Sequence, residues 1–171
     1  SIPLPWPGLN AGLSGLEYSG FYIFLAGTGT GKSTVLRELV YWYRINLPEL
    51  KIANFFLEEN ETVTPLAYMA LELNIPLGTL RRDIKDVPDL DYVRAKKLVD
   101  TDNLMFIGKE FGRNADSIIS YIEYLVQVKH FDLIIIDHIS YIIGRSGVSK
   151  NGERRDIDEF LYKLQDITQR L

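Results

Sequence analysis

Ala26-Gly27-Thr28-Gly29-Thr30-Gly31-Lys32-Ser33-Thr34 decides how this chain folds. The apolar run Phe21-Tyr22-Ile23-Phe24-Leu25 precedes it, and Val35, Leu36, Leu39 and Val40 recur at helical spacing after it. Strand, glycine-rich turn and helix, in that order, are the setting of a phosphate-binding P-loop, G-x-x-x-x-G-K-[ST]. Glycines let the backbone curl into a nest whose N–H groups converge on phosphate oxygens. The helix that follows adds the positive end of its dipole. Gly27, Thr28, Gly29, Thr30, Gly31, Lys32, Ser33 and Thr34 are therefore candidate nucleotide-binding residues. Lys32 is also a candidate for catalysis, since it would reach the β- and γ-phosphates, and the Ser33 hydroxyl would ligate Mg²⁺. Ala26 stands where the pattern has its first glycine, a mild departure because alanine is nearly as small and Gly27 follows at once. The competing possibility is a glycine-rich strand-to-helix turn that binds nothing.

The chain has 171 residues, a formal net charge of −4 and no cysteine. That length suffices for one domain with its own core. The charge excludes a surface uniformly basic for DNA, though not a basic loop facing a pore. The lack of cysteine excludes disulfides and thiolate metal sites. No apolar run approaches the roughly 20 residues of a membrane span, so no membrane partner is expected. No secretory leader pattern is read at the start. Ser1-Ile2-Pro3-Leu4-Pro5-Trp6-Pro7-Gly8 is proline-rich and reads as extended, so residues 1–12 are expected to be a linker or arm and 13–171 the domain.

Strand and helix patterns alternate beyond that point. Residues 21–25, 52–57, 104–107 and 133–136 read as strands. Residues 33–43, 62–73, 77–83 and 92–99 read as helices. Ala115, Ile118, Ile119, Ile122, Leu125 and Val126 mark an amphipathic helix with Asn114 as its N-cap. Ile157, Phe160, Leu161, Leu164, Ile167 and Leu171 mark a last helix. Such alternation predicts an α/β fold, a mostly parallel sheet flanked by helices.

Leu133-Ile134-Ile135-Ile136-Asp137 is an apolar strand that ends in a carboxylate. Ligands of open α/β sheets bind at the C-terminal strand edge, so Asp137 is the second candidate Mg²⁺ residue. Many such aspartates merely cap the next turn. Position 138 is His, which leaves the strand without a glutamate directly after its aspartate to serve as hydrolytic base. Asn54-Phe55-Phe56-Leu57-Glu58-Glu59-Asn60 offers carboxylates at the same sheet edge. Glu58, nearest the strand, is the candidate for orienting a water toward the γ-phosphate. Glu59 and Glu61 are assigned instead to the N-terminal dipole of the next helix. His130 is expected at the surface.

Taken together, GTGTGKST, FFLEEN and IIIDHISYII resemble the RecA-fold ring helicases, in particular the DnaB-like replicative helicases such as phage primase-helicases and mitochondrial Twinkle. Residues 67–102 carry no matching motif. The resemblance implies a RecA-like P-loop NTPase core that uses ATP or another NTP with Mg²⁺, forms a homo-hexamer and moves on single-stranded DNA. Primase and polymerase are further candidate partners. The implied location is the cytoplasm of a bacterial or phage-infected cell, or the mitochondrial matrix. By position, Lys32 and Ser33 hold phosphate and metal, Glu58 orients water, and Asp137 serves the metal; Asp137 with the strand before it then reads as a Walker B motif. A histidine after that aspartate suits the family, with a hydrogen bond to neighbouring backbone or to a nucleotide-linked water expected in preference to metal ligation. In the family the loop after the Walker B strand faces the channel. Arg145, Lys150, Arg154 and Arg155, in a segment rich in glycine and serine and expected to be weakly ordered, are accordingly the candidate DNA-binding residues. The family also places a further strand, bearing a polar sensor, between the two active-site strands, and the pattern at Leu171 stops inside a helix. A fragment that hydrolyses NTP poorly by itself is therefore expected.

Two other functions fit the same motifs. One is a RecA-like, nucleotide-gated module that assembles on single-stranded DNA without unwinding it. The other, a metabolic nucleotide kinase, is disfavoured because no arginine-rich lid is visible. Ten tyrosines and eight phenylalanines are present, but most sit at core spacing and none is assigned to nucleic acid.

Overall fold

Every residue of the strand Ile52–Phe56 (β1) is buried, as a central parallel strand requires. It lies between Leu104–Ile107 (β2) and Leu133–Asp137 (β3), both parallel to it, in the order β2-β1-β3. The register sets Ile52 opposite Leu104 on one side and Leu133 on the other, and Phe56 opposite Asp137. The C-terminal ends of β1 and β3 therefore fall side by side. These features come from a computed structural model, which describes residues 1–171 apart from Thr28, Arg113, residues 144–149, Leu171 and the side chains of Lys150, Asn151 and Glu153.

The helices are Pro7–Leu13 (α1), Lys32–Asn46 (α2), Val63–Leu73 (α3), Leu77–Asp83 (α4), Asp89–Val99 (α5), Ala115–Gln127 (α6), Ser140–Ile143 (α7) and Lys150–Gln169 (α8). Alternation along β1 divides the core between them. Ile52 and Phe56 pack with Leu36, Leu39, Val40 and Tyr43 of α2 and Tyr68 of α3. Ala53 and Phe55, with Leu57 just past the strand, pack with Ile118, Ile122 and Leu125 of α6 and Phe160, Leu164 and Ile167 of α8. Full burial of each such side chain contributes about 1.5–3 kcal/mol. The result is a small open three-stranded parallel sheet flanked by helices, the α/β class expected. A third cluster, Met69, Ala70, Leu80 and Ala95, joins α3, α4 and α5 beside it. Among the described residues no helix is long and apolar enough to cross a membrane.

Three local expectations change. Residues 21–25 are not a strand. Phe21 rests against the α6/α8 cluster, but Leu25 is 91% exposed and Ile23 and Phe24 also face solvent. A strand needs a ladder partner for its N–H and C=O groups; the sheet runs β2-β1-β3, and residues 21–25 pair with no described strand, neither at the outer edge of β2 nor at that of β3. Secondly, residues 150–155, expected to be weakly ordered, are the start of α8. The apolar stripe from Ile157 to Ile167 anchors that helix, which then propagates backward through polar residues. Thirdly, the extended start ends sooner than its prolines suggested, because Pro7 opens α1 at a position where its missing N–H costs nothing. Before it, Ile2 pairs with Leu16 in an antiparallel bridge, and Ile2, Leu4 and Leu16 are buried in the α2 cluster.

Candidate functional site

The glycine loop enters α2 through two residues with positive φ, Gly29 at 77° and Gly31 at 88°. Side chains rarely adopt that backbone region, so glycine is required there. Gly27 O accepts from the Thr30 backbone N–H at 3.3 Å and from Thr30 Oγ1 at 2.7 Å, which closes the turn. Gly31 is the N-cap of α2 and carries no side chain to cap it. Among the described residues no side-chain acceptor takes the first amides of α2, which stand at the positive end of a 15-residue helix. Gly27, Gly29, Thr30 and Thr34 are exposed around this turn. Thr28 lies outside the described residues.

Lys32 and Ser33, the first two residues of α2, meet Asp137 at the end of β3. The Ser33 hydroxyl donates to Asp137 Oδ2. Lys32 Nζ lies 3.2 Å from Oδ1. Asp137 is only 6% exposed, and among the described residues its Oδ1 has this counter-charge but no hydrogen bond. A buried carboxylate oxygen in that condition is costly unless another group supplies what it lacks. Among the described residues no cluster of three or more His, Cys, Asp or Glu side chains forms a metal cage. Magnesium needs none, being held by one or two carboxylates, waters and substrate phosphates. A hydroxyl and an unsatisfied carboxylate oxygen are hard oxygen donors of the kind it takes, so Ser33 and Asp137 fit the ion.

Glu58 follows β1 at the same sheet edge. Leu57 N–H donates to Asp137 O at 3.0 Å, continuing the β1–β3 ladder past the strand end. Glu58 Oε1 lies 2.9 Å from His138 Nε2, and the Glu58 side chain is otherwise 58% exposed. Glu59 does not serve the dipole of α3, as its position suggested; its carboxylate is held by Arg37 Nη2 of α2 through both oxygens. The Arg37 guanidinium stacks 5.4 Å from the Phe56 ring centroid. Lys109 N–H donates to Glu59 O at 2.7 Å, and Glu61 N–H donates to Glu110 Oε2 at 3.1 Å. The turn bearing Glu58 is therefore pinned from α2, from β3 and from the segment after β2.

Beneath the turn, buried Asn54 accepts from Tyr68 Oη at 2.7 Å and donates to Met105 O at 3.1 Å. Burial raises the Tyr68 pKa, with Arg37 opposing the shift and Glu59 adding to it, so the phenol remains a donor.

Lys32, Ser33 and Asp137 are thus in direct contact, with Glu58 beside them across one strand pair. His130 is exposed, as expected. Arg154 and Arg155 are exposed in the first turns of α8. Arg145 and the Lys150 side chain lie outside the described residues. Three participants escaped sequence reasoning: Arg37, Gly108 and the partnership of His138 with Glu58. Arg37 and His138 act across the sheet, and no local spacing marks such a pair. Gly108 could have been suspected, because a glycine at a strand end often marks close backbone approach. No protein-family model matches the chain.

Proposed function

We propose that this chain is the NTP-hydrolysing core of a ring-shaped replicative DNA helicase, a RecA-like P-loop motor that moves on single-stranded DNA. The observation that carries the proposal is the meeting of Lys32, Ser33 and Asp137, with Glu58 at the neighbouring strand end. An ammonium, a hydroxyl, a buried carboxylate and a more exposed carboxylate gathered at an uncapped helix N-terminus suit a triphosphate better than any other common ligand.

In this mechanism the amides of the glycine loop and of α2 take the phosphate oxygens. Lys32 exchanges its contact with Asp137 for the β- and γ-phosphates. Ser33 and Asp137 would hold Mg²⁺, which would neutralise charge on the phosphate oxygens. Glu58 accepts a hydrogen bond from the attacking water and aims it at the γ-phosphorus; the water oxygen bonds to phosphorus as the bond to the β-phosphate oxygen breaks, that oxygen leaves with the NDP, and the proton lost by the water ends on the released phosphate. Arg145, Lys150, Arg154 and Arg155 track single-stranded DNA through its phosphates, without reading sequence. A homo-hexameric ring working in the cytoplasm beside primase and polymerase completes the proposal.

The test is NTP hydrolysis by the intact protein with and without single-stranded DNA, together with strand separation on a forked duplex. DNA-stimulated turnover with unwinding is expected. Nucleotide-dependent filament growth without unwinding would favour the RecA-like assembly module, and indifference to nucleotide would contradict both.

A further inference from the structure

Among the described residues, the hydrogen-bonding partner of the Glu58 side chain is His138, at 2.9 Å from Nε2 to Oε1. The two residues follow the ends of different strands, β1 and β3, and lie 80 positions apart. Glu58 sits on a turn whose backbone is fixed on every side, yet its own side chain is more than half exposed. A glutamate in that situation has three rotatable bonds and water all round, so it visits many rotamers. Its carboxylate gains a defined position only where something holds one oxygen. His138 is suited to this because it follows Asp137 directly, and Leu57 N–H ties the Asp137 carbonyl to the base of the same turn. The imidazole is thereby registered against Glu58 by the strand pairing itself.

We propose that His138 is the positioning residue for Glu58. Resting on the hydrolase reading given above, the proposal is that its Nε2–H holds Oε1 and leaves Oε2 free to accept from the attacking water. One anchored oxygen fixes the carboxylate plane, and the other then has a single direction in which to orient a nucleophile. Misplacement of such a group by about 1 Å costs on the order of a hundredfold in rate. No step requires His138 to change protonation state; an imidazole that donates from Nε2 suffices.

The bonding nitrogen makes the proposal testable by amide replacement. The glutamine side-chain nitrogen falls near the position of imidazole Nε2, whereas the asparagine nitrogen falls near Nδ1. Hydrolysis kinetics of the intact protein would be measured for His138→Ala, His138→Gln and His138→Asn, alone and combined with Glu58→Gln. We expect His138→Ala and His138→Asn to lower kcat by about tenfold to a hundredfold, with KM and nucleotide affinity within about twofold of the parent. His138→Gln should recover most of that loss. In the Glu58→Gln background, His138→Ala should cost nothing further, since the group it positions is no longer a carboxylate. Equal rates for the glutamine and asparagine variants, or a full His138→Ala penalty in the Glu58→Gln background, would overturn the proposal. So would a normal kcat in His138→Ala while Glu58→Gln is inactive, an outcome that leaves the hydrolase reading standing. Near-normal hydrolysis by Glu58→Gln would overturn the proposal too and would move the water-orienting role to another residue, again leaving the hydrolase reading standing. Should the alanine variant fail to fold, the contrast between glutamine and asparagine decides alone.

Discussion

The Ser33 hydroxyl donates a hydrogen bond to Asp137, a residue 104 positions further along the chain. This bond joins the start of α2 to the end of β3 and, with Lys32, gives the buried carboxylate its partners. Ser33→Ala removes the bond and leaves Asp137 Oδ2 unsatisfied in a dry setting. A loss of about 1–3 kcal/mol is expected from such a deletion, measured as a lower urea midpoint. The same variant should lose the Mg²⁺ dependence of nucleotide binding. Unaltered Mg²⁺ dependence would remove Ser33 from the metal site.

Gly108 tests whether the Glu58 turn must sit where it does. A Cβ at this position would lie 2.6 Å from Glu59 O and would also strike the Glu61 backbone nitrogen. Both are backbone atoms, so the turn itself must shift. Gly108→Ala should cost about 1–3 kcal/mol and should slow hydrolysis more than it weakens nucleotide binding. A variant with parental stability and turnover would show that the turn is not held by this approach.

Tyr43 gives a pH signature. It is fully buried in α2, and among the described residues its hydroxyl has no hydrogen-bond partner. Burial pushes its pKa from 10.0 up to about 12. The unfolded chain releases this proton near the lower value, while the folded chain retains it to the higher one. The residue's stabilising contribution is therefore intact below pH 10 and is lost as the pH climbs to about 12. Tyr43→Phe should leave stability at pH 7 equal or higher, because an unsatisfied hydroxyl is removed. It should also flatten part of the alkaline loss. Tyr68 and Tyr41, both raised first by burial, add to the same loss. Urea unfolding of parent and variant at neutral and alkaline pH makes the comparison.

The basic segment predicts a salt effect. Neutralising Arg145, Lys150, Arg154 and Arg155 together should weaken single-stranded DNA binding. The dependence of log K on log salt should become shallower by about 0.7 for each DNA phosphate that is no longer neutralised. Nucleotide affinity should not change. A parental salt slope would place the DNA path elsewhere.

Most of the scaffold was legible because its periodicities are strong and local. The stripe Ile118, Ile122, Leu125 marked α6, and Asn114 caps it as expected, accepting from Ser117 N–H at 3.0 Å. Asp137 was legible as a strand-end carboxylate for the same reason. Residues 21–25 failed because an apolar run of strand type says nothing about a ladder partner, and without one among the described residues the segment is not a strand. Glu59 was misassigned because its proximity to α3 in sequence outweighed a partner, Arg37, that only the packing of α2 against β1 brings near. The His138 hydrogen bond was expected to go to neighbouring backbone or to a nucleotide-linked water; its partner is instead the Glu58 carboxylate, across a strand pair whose register no single segment encodes.

The most direct measurement compares Mg²⁺–nucleotide affinity and hydrolysis rate in the intact protein for the parent, Lys32→Ala and Glu58→Gln. The expected result is loss of productive nucleotide binding in Lys32→Ala. Glu58→Gln should bind nucleotide as the parent does, while its turnover falls by about 10²–10⁴-fold. Parental affinity in Lys32→Ala, or near-parental hydrolysis in Glu58→Gln, would contradict the convergence of these residues on one triphosphate.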